Sequence, residues 1–349
     1  MNNILHYSNQ INLLGTTGNT REYEITNNCN FGMFITNIGI TKKWNDHNNV
    51  NGKRPTSIKF VLHGSDGSNY EETATGDSHA ESWNISFSNI HRYTTDGNPI
   101  TYTLQELEVN SGDLRFYTNL GNINVKFTQN NDPVTAELLE YENTFAVPLD
   151  TINVTATKHW EDNSNANGKR PASIKYILKG GSTPIEKVVT GSTTNDENWN
   201  YTFADLPKYN SQGNEIAYTI DEQEVNQNDL KFYKKSINKY SITNTFTVPD
   251  EKTEVQINKT WEDNSNVNGK RPASIKYVLT GNGLTKEQTV TGSTTTNENW
   301  SYKFTNLPKY NSQGNEITYT IDEQEVNQND LKFYTKQVTG LNVTNTFTV

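Results

Sequence analysis

Three lysines lie at positions of the sequence where a β-strand would bury them. In the stretch VQINKTW, Val255–Trp261, successive side chains of a strand point to opposite faces, so Lys259 falls on the apolar face. Lys42 and Lys158 occupy the same place in two earlier stretches of the same pattern. Because a charged amine is almost never buried without a partner, each lysine is predicted to meet a polar group in the interior.

Two later strands of each copy supply the candidate partners. Glu323 is in phase with Ile321, and Asn345 is in phase with Val343, so both polar side chains are predicted to point inward. The separation from Lys to Glu is 64 residues in all three copies, whereas that from Glu to Asn is 22 residues in the last two and 37 in the first. The three candidate triplets are Lys42, Glu106 and Asn143; Lys158, Glu222 and Asn244; and Lys259, Glu323 and Asn345.

These residue types support a specific covalent reaction. Desolvation lowers the pKa of a lysine and raises that of a glutamate, so a buried pair can hold a neutral amine beside a protonated acid. The neutral amine is a nucleophile, and attack on the Asn carboxamide with loss of ammonia would leave a Lys–Asn isopeptide bond, promoted by the Glu. The alternative is a structural Lys–Glu ion pair with a hydrogen-bonded Asn and no reaction.

Internal repetition sets the organisation of the chain. Two segments of the sequence differ at only one position: WEDNSNANGKRPASIKY, which begins at Trp160, and WEDNSNVNGKRPASIKY, which begins at Trp261. A less similar copy begins at Trp44. A repeat of about one hundred residues is long enough to fold around a hydrophobic core of its own. We therefore predict a partial piece of a preceding repeat over residues 1–38, then domains at 39–148, 149–248 and 249–349, joined as a monomeric string with short links.

The composition predicts an all-β protein. Hydrophobic residues make up only 32% of the 349 residues, but aromatic residues reach 11%, and Thr, Val, Ile and Asn are abundant. Short alternating runs are separated by turn clusters such as DNSNANG and NSQGN. Each domain is predicted to be a sandwich of about seven strands.

The distribution of charge argues against nucleic acid as a partner, and the lengths of the apolar runs argue against a membrane span. The formal net charge of -10 is spread along the chain without a basic stripe, which argues against nucleic acid. The single cysteine, Cys29, forms no intrachain disulfide, and no run approaches the ~18 apolar residues of a membrane span. The first residues lack the features of a secretion signal, so a signal for export would lie outside this sequence.

Other candidate sites were weighed against plain structural roles. The DNSNANG loops lack the acidic twelfth position of a calcium-binding EF-hand loop, so we expect neither metal nor cofactor. Glu222 and Glu224 could be mistaken for a glycosidase pair, but no cleft is indicated. The exposed tyrosines of the PKYNSQGNE loops, Tyr209 and Tyr310, are the weakest candidates for recognition. Four histidines are predicted to be surface residues, and three tryptophans are predicted to be core: His47, His63, His79 and His91; Trp44, Trp160 and Trp261.

Several motifs recur in order and resemble those of the Cna protein B-type (CnaB) domains of Gram-positive surface proteins. They are the K-x-W opening, the word ending in NGKRP, the YT-[IL]-x-E strand and the closing TNTF strand, over about residues 39–349. The resemblance implies a prealbumin-like, reverse-immunoglobulin sandwich with an isopeptide bond between the first-strand Lys and the last-strand Asn. The first copy departs from this pattern, because it reads YENTF and carries Lys43 beside Lys42. Residues 1–38 hold an acceptor-like Asn37 without a matching Lys or Glu upstream, so no bond is expected there.

The favoured function is structural. We expect three crosslinked sandwiches that form a stalk segment of a cell-wall-anchored, extracellular bacterial adhesin, with no enzymatic activity beyond a single-turnover crosslinking reaction. The alternative is a binding module whose loops or sheet faces recognise host extracellular matrix or glycan. Near-identity of the second and third copies favours the stalk, although multivalent binding would also repeat a site.

Overall fold

The computed structural model describes residues 7–17, 20–29, 35–127 and 138–348. Every regular element in this part of the chain is a β-strand, which confirms the predicted all-β class. The chain falls into two compact units. The first consists of the chain up to Ile152 together with Asp205–Ile216, and the second of Asn153–Ala204 together with Ala217–Val349. The three domain boundaries drawn from the sequence, after residues 38, 148 and 248, remain a prediction.

The strands form one hairpin and three sets, which we call the first, second and third repeats. The hairpin pairs β1 (Tyr7–Thr17) with β2 (Thr20–Cys29). The first repeat contains β3 (Ile35–Asn45), β4 (Ser57–Gly64), β5 (Asn69–Thr75), β6 (Ser82–His91), β7 (Tyr102–Glu108), β8 (Tyr117–Asn119), β9 (Ile123–Val125) and β10 (Leu138–Phe145). The second contains β11 (Thr151–Glu161), β12 (Ser173–Lys179), β13 (Ile185–Thr190), β14 (Tyr201–Pro207), β15 (Thr219–Glu224), β16 (Tyr233–Asn238) and β17 (Ser241–Phe246). The third contains β18 (Lys252–Glu262), β19 (Ile275–Gly281), β20 (Leu284–Val290), β21 (Tyr302–Pro308), β22 (Thr320–Glu325), β23 (Tyr334–Thr339) and β24 (Asn342–Phe347).

Each repeat has two sheets. In the third repeat the strand orders are β21-β18-β24-β23 and β20-β19-β22, and the second repeat has the equivalent orders β14-β11-β17-β16 and β13-β12-β15. The first repeat has β6-β3-β10-β8 and β5-β4-β7-β9. Its additional strand, β9, pairs with β7 and lies in the stretch where the sequence is longer. The second and third repeats thus have the seven strands predicted, and the described residues of the first repeat form eight.

The first and last strands of each repeat are neighbours in one sheet and run parallel. β3 pairs with β10, β11 with β17, and β18 with β24. Side chains along β18 alternate between exposed and buried, and Val255, Ile257, Lys259 and Trp261 are the buried members. The predicted phase of this strand, including its inward lysine, is confirmed.

The second tryptophan of each copy also belongs to the core. Trp83, Trp199 and Trp300 are buried, as are Trp44, Trp160 and Trp261. In the third repeat the rings of Trp261 and Trp300 meet edge to face, with 5.3 Å between centroids. Aromatic pairs of this kind add specific contact energy to the burial of their area, so each tryptophan pair stabilises the core of its repeat.

Two expectations from the sequence are corrected by the structure. Ile35 and Asn37 belong to β3, the first strand of the first repeat, and not to a closing strand of a preceding repeat. Phe31 and Met33, assigned to that closing strand, lie outside the described residues. Tyr209 and Tyr310 were expected to be exposed, but they are only 8% and 7% exposed.

The loops after the first strands are turns held by an aspartate, as the turn clusters of the sequence predicted. In the second repeat, Asp162 accepts a hydrogen bond from the backbone N–H of Asn165 at 2.9 Å. Asn163 and Asn165 have left-handed backbone conformations, which asparagine adopts more readily than most residues. No cluster of three or more metal-ligating side chains occurs in the described ranges.

A buried Asp–Arg–Tyr cluster anchors each of these loops to the sandwich. In the third repeat, Arg271 donates to both carboxylate oxygens of Asp263, at 2.9 and 2.6 Å, and the Tyr334 hydroxyl donates to one of them at 3.0 Å. Burial alone would raise the pKa of Asp263, but the hydrogen bonds from Arg271 and its neighbours lower it below the usual range. The cluster therefore stabilises the fold at neutral pH, and this stabilisation is lost as the pH falls through the lowered pKa. The equivalent residues are Asp46, Arg54 and Tyr117, and Asp162, Arg170 and Tyr233.

Removing the carboxylate of this cluster should destabilise one repeat selectively. Asp263→Ala leaves the buried guanidinium of Arg271 without its counter-charge, a change that typically costs about 3–5 kcal/mol. Tyr334→Phe removes one hydrogen bond and keeps the ion pair, so its cost should be about 1 kcal/mol. Hydrogen–deuterium exchange of the β18 and β19 amides in the whole chain measures both, with β11 and β12 as the unchanged reference. Equal exchange in the two variants would contradict this role for the ion pair.

Candidate functional site

The structure brings each predicted triplet together inside its own repeat. Lys and Asn come from the two parallel strands of one sheet, while Glu comes from the opposite sheet. In the third repeat Asn345 pairs with Trp261, two residues beyond Lys259, and Glu323 projects from β22. The same pairing joins Asn143 to Trp44 and Asn244 to Trp160. Strand phase fixes this geometry, because all three side chains point into the space between the sheets.

All nine side chains are buried. The three lysines are 0%, 1% and 4% exposed in chain order, and the three asparagines are fully buried. The distances from Lys Nζ to Glu Oε1 are 3.4 Å for Lys42–Glu106, 3.6 Å for Lys158–Glu222 and 3.6 Å for Lys259–Glu323. Lys43, by contrast, points to the surface and pairs with Glu140, so it is excluded as the inward lysine.

Each lysine amine has two further contacts. Lys259 Nζ donates to the backbone carbonyl of Thr260 at 3.1 Å and lies 3.9 Å from the centre of the Trp261 ring. Lys42 and Lys158 make the corresponding contacts with the next carbonyl and with Trp44 and Trp160. A tryptophan face attracts a cation and still tolerates a neutral amine, so this setting holds the nitrogen in place in either state.

Burial shifts the titration of the amine and the acid toward each other. Desolvation lowers the pKa of Lys42, Lys158 and Lys259 to about 8, although the neighbouring glutamate opposes the change. Desolvation also raises the pKa of Glu222 and Glu323, against the effect of the nearby lysine. Both shifts favour the neutral amine and the protonated acid that nucleophilic attack on an amide requires.

The hydrogen bonds of the Asn carboxamide differ between the first repeat and the other two. Asn143 donates from Nδ2 to Glu106 Oε1 at 3.1 Å, and Asn119 donates to Glu106 Oε2 at 3.1 Å. In the second and third repeats Asn244 and Asn345 make no hydrogen bond of ordinary geometry among the described residues, although each carboxamide interacts with the neighbouring carboxyl of Glu222 or Glu323. These carboxamides are therefore held more weakly by their own contacts than Asn143 is.

The residue opposite the buried Asn contacts the Glu of the triplet, and the sequence did not predict this contact. Lys336 pairs with Asn345 in the β23–β24 ladder, and its Nζ donates to the backbone carbonyl of Glu323 at 2.7 Å. Lys235 donates in the same way to Glu222 at 2.8 Å. Asn119 stands at this position in the first repeat and contacts the Glu side chain instead. The sequence contains a signal for this difference. Asn119, Lys235 and Lys336 lie at the same distance in sequence after the Glu of their repeat, and only the first of them is Asn.

The remaining candidates have structural roles. Glu224 is exposed while Glu222 is buried, so the two carboxylates form no catalytic pair. The four histidines predicted to be surface residues are exposed. No helix in the described part of the chain has the length and apolar character to cross a membrane.

The fold and the site define a class of protein made of tandem β-sandwiches, each with a buried Lys–Glu–Asn triplet between its terminal strands and the opposite sheet. The Cna protein B-type domain family matches residues 38–132, 154–245 and 255–346. The chain belongs to this family.

Three relatives illustrate the similarity. The Collagen adhesin of Staphylococcus aureus is 32% identical over 314 residues, which is 90% of this chain and 24% of that protein. The chain thus spans about a quarter of the length of the curated relative it matches. A crystal structure of two B repeat units of the collagen binding protein of S. aureus is 28% identical and covers 95% of this chain and 84% of that one, with a TM-score of 0.34. A single B repeat unit of the same surface protein is 33% identical, covers 57% of this chain and 100% of that one, and has a TM-score of 0.25.

The lowered lysine pKa is directly measurable when the acceptor is removed. In an Asn345→Ala chain Lys259 keeps its free amine, and its titration followed by NMR of labelled lysine should have a midpoint near pH 8. Exposed lysines titrate near 10.4. Between these values the unfolded chain binds more protons than the folded one, so the free energy of unfolding should rise with pH. A midpoint above 10 for Lys259 would contradict the assignment.

Proposed function

We propose that each repeat closes an isopeptide bond between its first-strand lysine and its last-strand asparagine, and that the chain serves as a structural stalk segment of a bacterial surface adhesin. The observation that carries the proposal is the threefold burial of Lys, Glu and Asn together, with a Lys–Glu distance of 3.4–3.6 Å each time. The bonds proposed are Lys42–Asn143, Lys158–Asn244 and Lys259–Asn345, promoted by Glu106, Glu222 and Glu323.

The reaction follows from the states that burial favours. The neutral amine of Lys259 attacks Cγ of Asn345 while the Glu323 acid donates a proton to the carboxamide oxygen. The amine then loses a proton through Glu323 to the departing nitrogen, the Cγ–Nδ2 bond breaks, and ammonia leaves. As ammonia leaves, the proton on the carboxamide oxygen returns to Glu323 and the carbonyl forms again. The new N–C bond is therefore an amide, and the glutamate ends as the acid that it was at the start. No external reactant is consumed, so the reaction runs once in each repeat.

The fold supplies the energetic advantage of this step. The three groups are held by strands whose pairing is already fixed, and pre-orientation of this kind is worth about 7–11 kcal/mol of a reaction barrier. The carboxamides of Asn244 and Asn345 are poorly satisfied in the unreacted state, because they are buried and make no hydrogen bond of ordinary geometry among the described residues. In the second repeat a cavity of about 460 Å³, lined in part by Glu222, Lys235 and Asn244, gives ammonia a route away from the site.

The position of the bond suits a protein that carries tension. The first and last strands are adjacent and parallel, so force applied at the two ends of a repeat shears their hydrogen-bond ladder. A covalent link between them would transmit the force directly, and the rest of the sandwich would stay folded. Near-identical second and third copies are expected of a spacer, whose length matters more than any one site.

The relative and the resemblance support a surface location for this stalk. The similar protein from S. aureus is a Collagen adhesin, and CnaB domains are typical of Gram-positive surface proteins. We infer an extracellular, cell-wall-anchored location for this chain, and host matrix as the partner of the whole protein.

A second candidate function is direct recognition of host matrix or glycan by these repeats. The name of the Collagen adhesin is the observation that favours it. Binding of the 349-residue chain itself to immobilised collagen or another matrix protein, in the absence of other domains, would support this function over that of a spacer.

Intact mass tests the crosslinks. The folded chain should be lighter than its sequence mass by three ammonia molecules. Glu106→Ala, Glu222→Ala and Glu323→Ala should each restore one of them, because the proton carrier is lost. Glu224→Ala, on the same strand as Glu222 but exposed, is the matched control and should leave all three bonds in place. A native mass equal to that of the unmodified sequence would overturn the proposal.

Pulling experiments test the mechanical role. The chain from Lys158 to Asn244 advances 86 residues, or about 290 Å when extended at ~3.4 Å per residue. Single-molecule force spectroscopy of the native chain should show no extension of this size, and Glu222→Ala should release one such increment. An increment in the native chain as frequent as in Glu222→Ala would show that the repeat is not clamped. Glu224→Ala again serves as the control.

A further inference from the structure

Tyr209 and Tyr310 are buried although they lie in identical, polar PKYNSQGNE loops. Each loop turns back on itself through a bridge, Tyr209 to Glu215 and Tyr310 to Glu316. The proposed stalk function does not account for this burial. Its cause is a contact between each loop and an aromatic residue elsewhere in the same compact unit.

In the second unit the contact is with Phe232. The rings of Phe232 and Tyr310 meet edge to face at 5.2 Å, and the Tyr310 hydroxyl accepts a hydrogen bond from Lys231 Nζ at 2.7 Å. The same hydroxyl donates to Glu251 at 3.3 Å. Lys169 lies over the Phe232 ring and donates to Asn315 at 3.0 Å. An aromatic ring, two cations and an anion therefore hold this loop.

Gly314 permits the close approach of the loop. Its φ of +74° is a conformation that side chains disfavour, and a Cβ there would come within 3.0 Å of the Phe232 ring. Gly213 has the same conformation, and a Cβ there would lie 3.1 Å from the Phe116 ring. Both loops therefore require glycine at this position.

The first unit contains the same contact with changed but equivalent charges. Phe116 and Tyr209 meet edge to face at 5.3 Å, and Lys53 lies over the Phe116 ring. Arg115 replaces Lys231, lies over the Tyr209 ring, and pairs with Asp150 at 2.8 Å. The recurrence of ring, cation and anion in two units indicates a specific docking arrangement.

The third repeat also has the aromatic ring and the two cations of this arrangement. Lys270 and Lys332 lie 5.3 and 4.9 Å from the centre of the Phe333 ring, and Phe333 stacks with Phe347. No loop residue is recorded against these side chains within the described ranges. Lys270 is exposed where its counterpart Lys169 is half-buried, and Phe333 is half-buried where Phe232 is buried.

We propose that the surface formed by Lys270, Lys332 and Phe333 is a docking surface for another β-sandwich domain of this family that presents a Tyr-x-x-x-Gly-Asn loop. The tyrosine ring of that loop packs edge to face on Phe333, and its hydroxyl accepts from Lys332. The glycine passes over the ring, and the asparagine accepts from Lys270. An acidic residue in the link between the domains completes the set, as Glu251 and Asp150 do.

The test extends the whole chain by a copy of residues 249–349 placed directly after Val349. This junction repeats the native spacing from Val248 to Glu251, so the added loop and acid fall at the matched positions. The added copy is ligated as a uniformly 15N-labelled segment, which separates its peptides by mass from the identical peptides of the third repeat. Acetylation of lysines, quantified by mass spectrometry, then reports the surface. Lys270 should react several-fold more slowly in the extended chain than in the native chain and approach the rate of Lys169.

Two variants of the extended chain separate docking from folding. Phe333→Ala should restore the reactivity of Lys270. Replacing the tyrosine of the added loop by Ala should do the same while leaving the third repeat unaltered, so a failure of Phe333→Ala to fold does not obscure the result. Lys270 that reacts equally fast in the native and extended chains, while the added copy exchanges its amides as slowly as the third repeat, would overturn the proposal.

Discussion

The burial of an ammonium group in an apolar stripe is the constraint on which each repeat depends. Lys259 has no access to water, so everything that makes its position tolerable must come from the fold. The ring of Trp261, a backbone carbonyl and the carboxyl of Glu323 surround it. These groups come from two sheets, and therefore the site exists only when both sheets are packed. The proposed crosslinking reaction therefore depends on the correct packing of both sheets.

The three sites share one geometry but differ in the residue that pairs with the buried Asn and contacts the glutamate. In the first repeat Asn119 contacts the Glu106 side chain, and Asn143 has a hydrogen bond to the same carboxyl. In the third repeat Lys336 holds the Glu323 backbone and leaves the carboxyl to Lys259. The first site is thus better satisfied as an unreacted arrangement than the other two.

The alternation of side chains along each strand was enough to predict the triplets. Successive residues point to opposite faces of a sheet, so each side chain can be assigned to a face without knowledge of the partner strand. The Asp–Arg–Tyr cluster escaped prediction for the opposite reason. Asp263 and Arg271 lie in a loop without periodicity, and Tyr334 reaches them from another strand, so only the tertiary fold shows that the pair is buried. Tyr310 was misjudged because the residue that covers it, Phe232, is distant in sequence. Burial by a neighbour of this kind leaves no local signature in the polar loop.

The parallel pairing of first and last strands has a consequence for how such chains evolve. Because those strands point the same way, the polypeptide enters a repeat at one end of the sandwich and leaves it at the other. A tandem duplication of the coding sequence then inserts a complete unit without rerouting the chain through an existing core. The words at Trp160 and Trp261, which differ at one position in seventeen, are what a recent duplication of this kind would leave. Repeat number can therefore change by recombination between copies, and the reach of the protein can vary among lineages with no new fold.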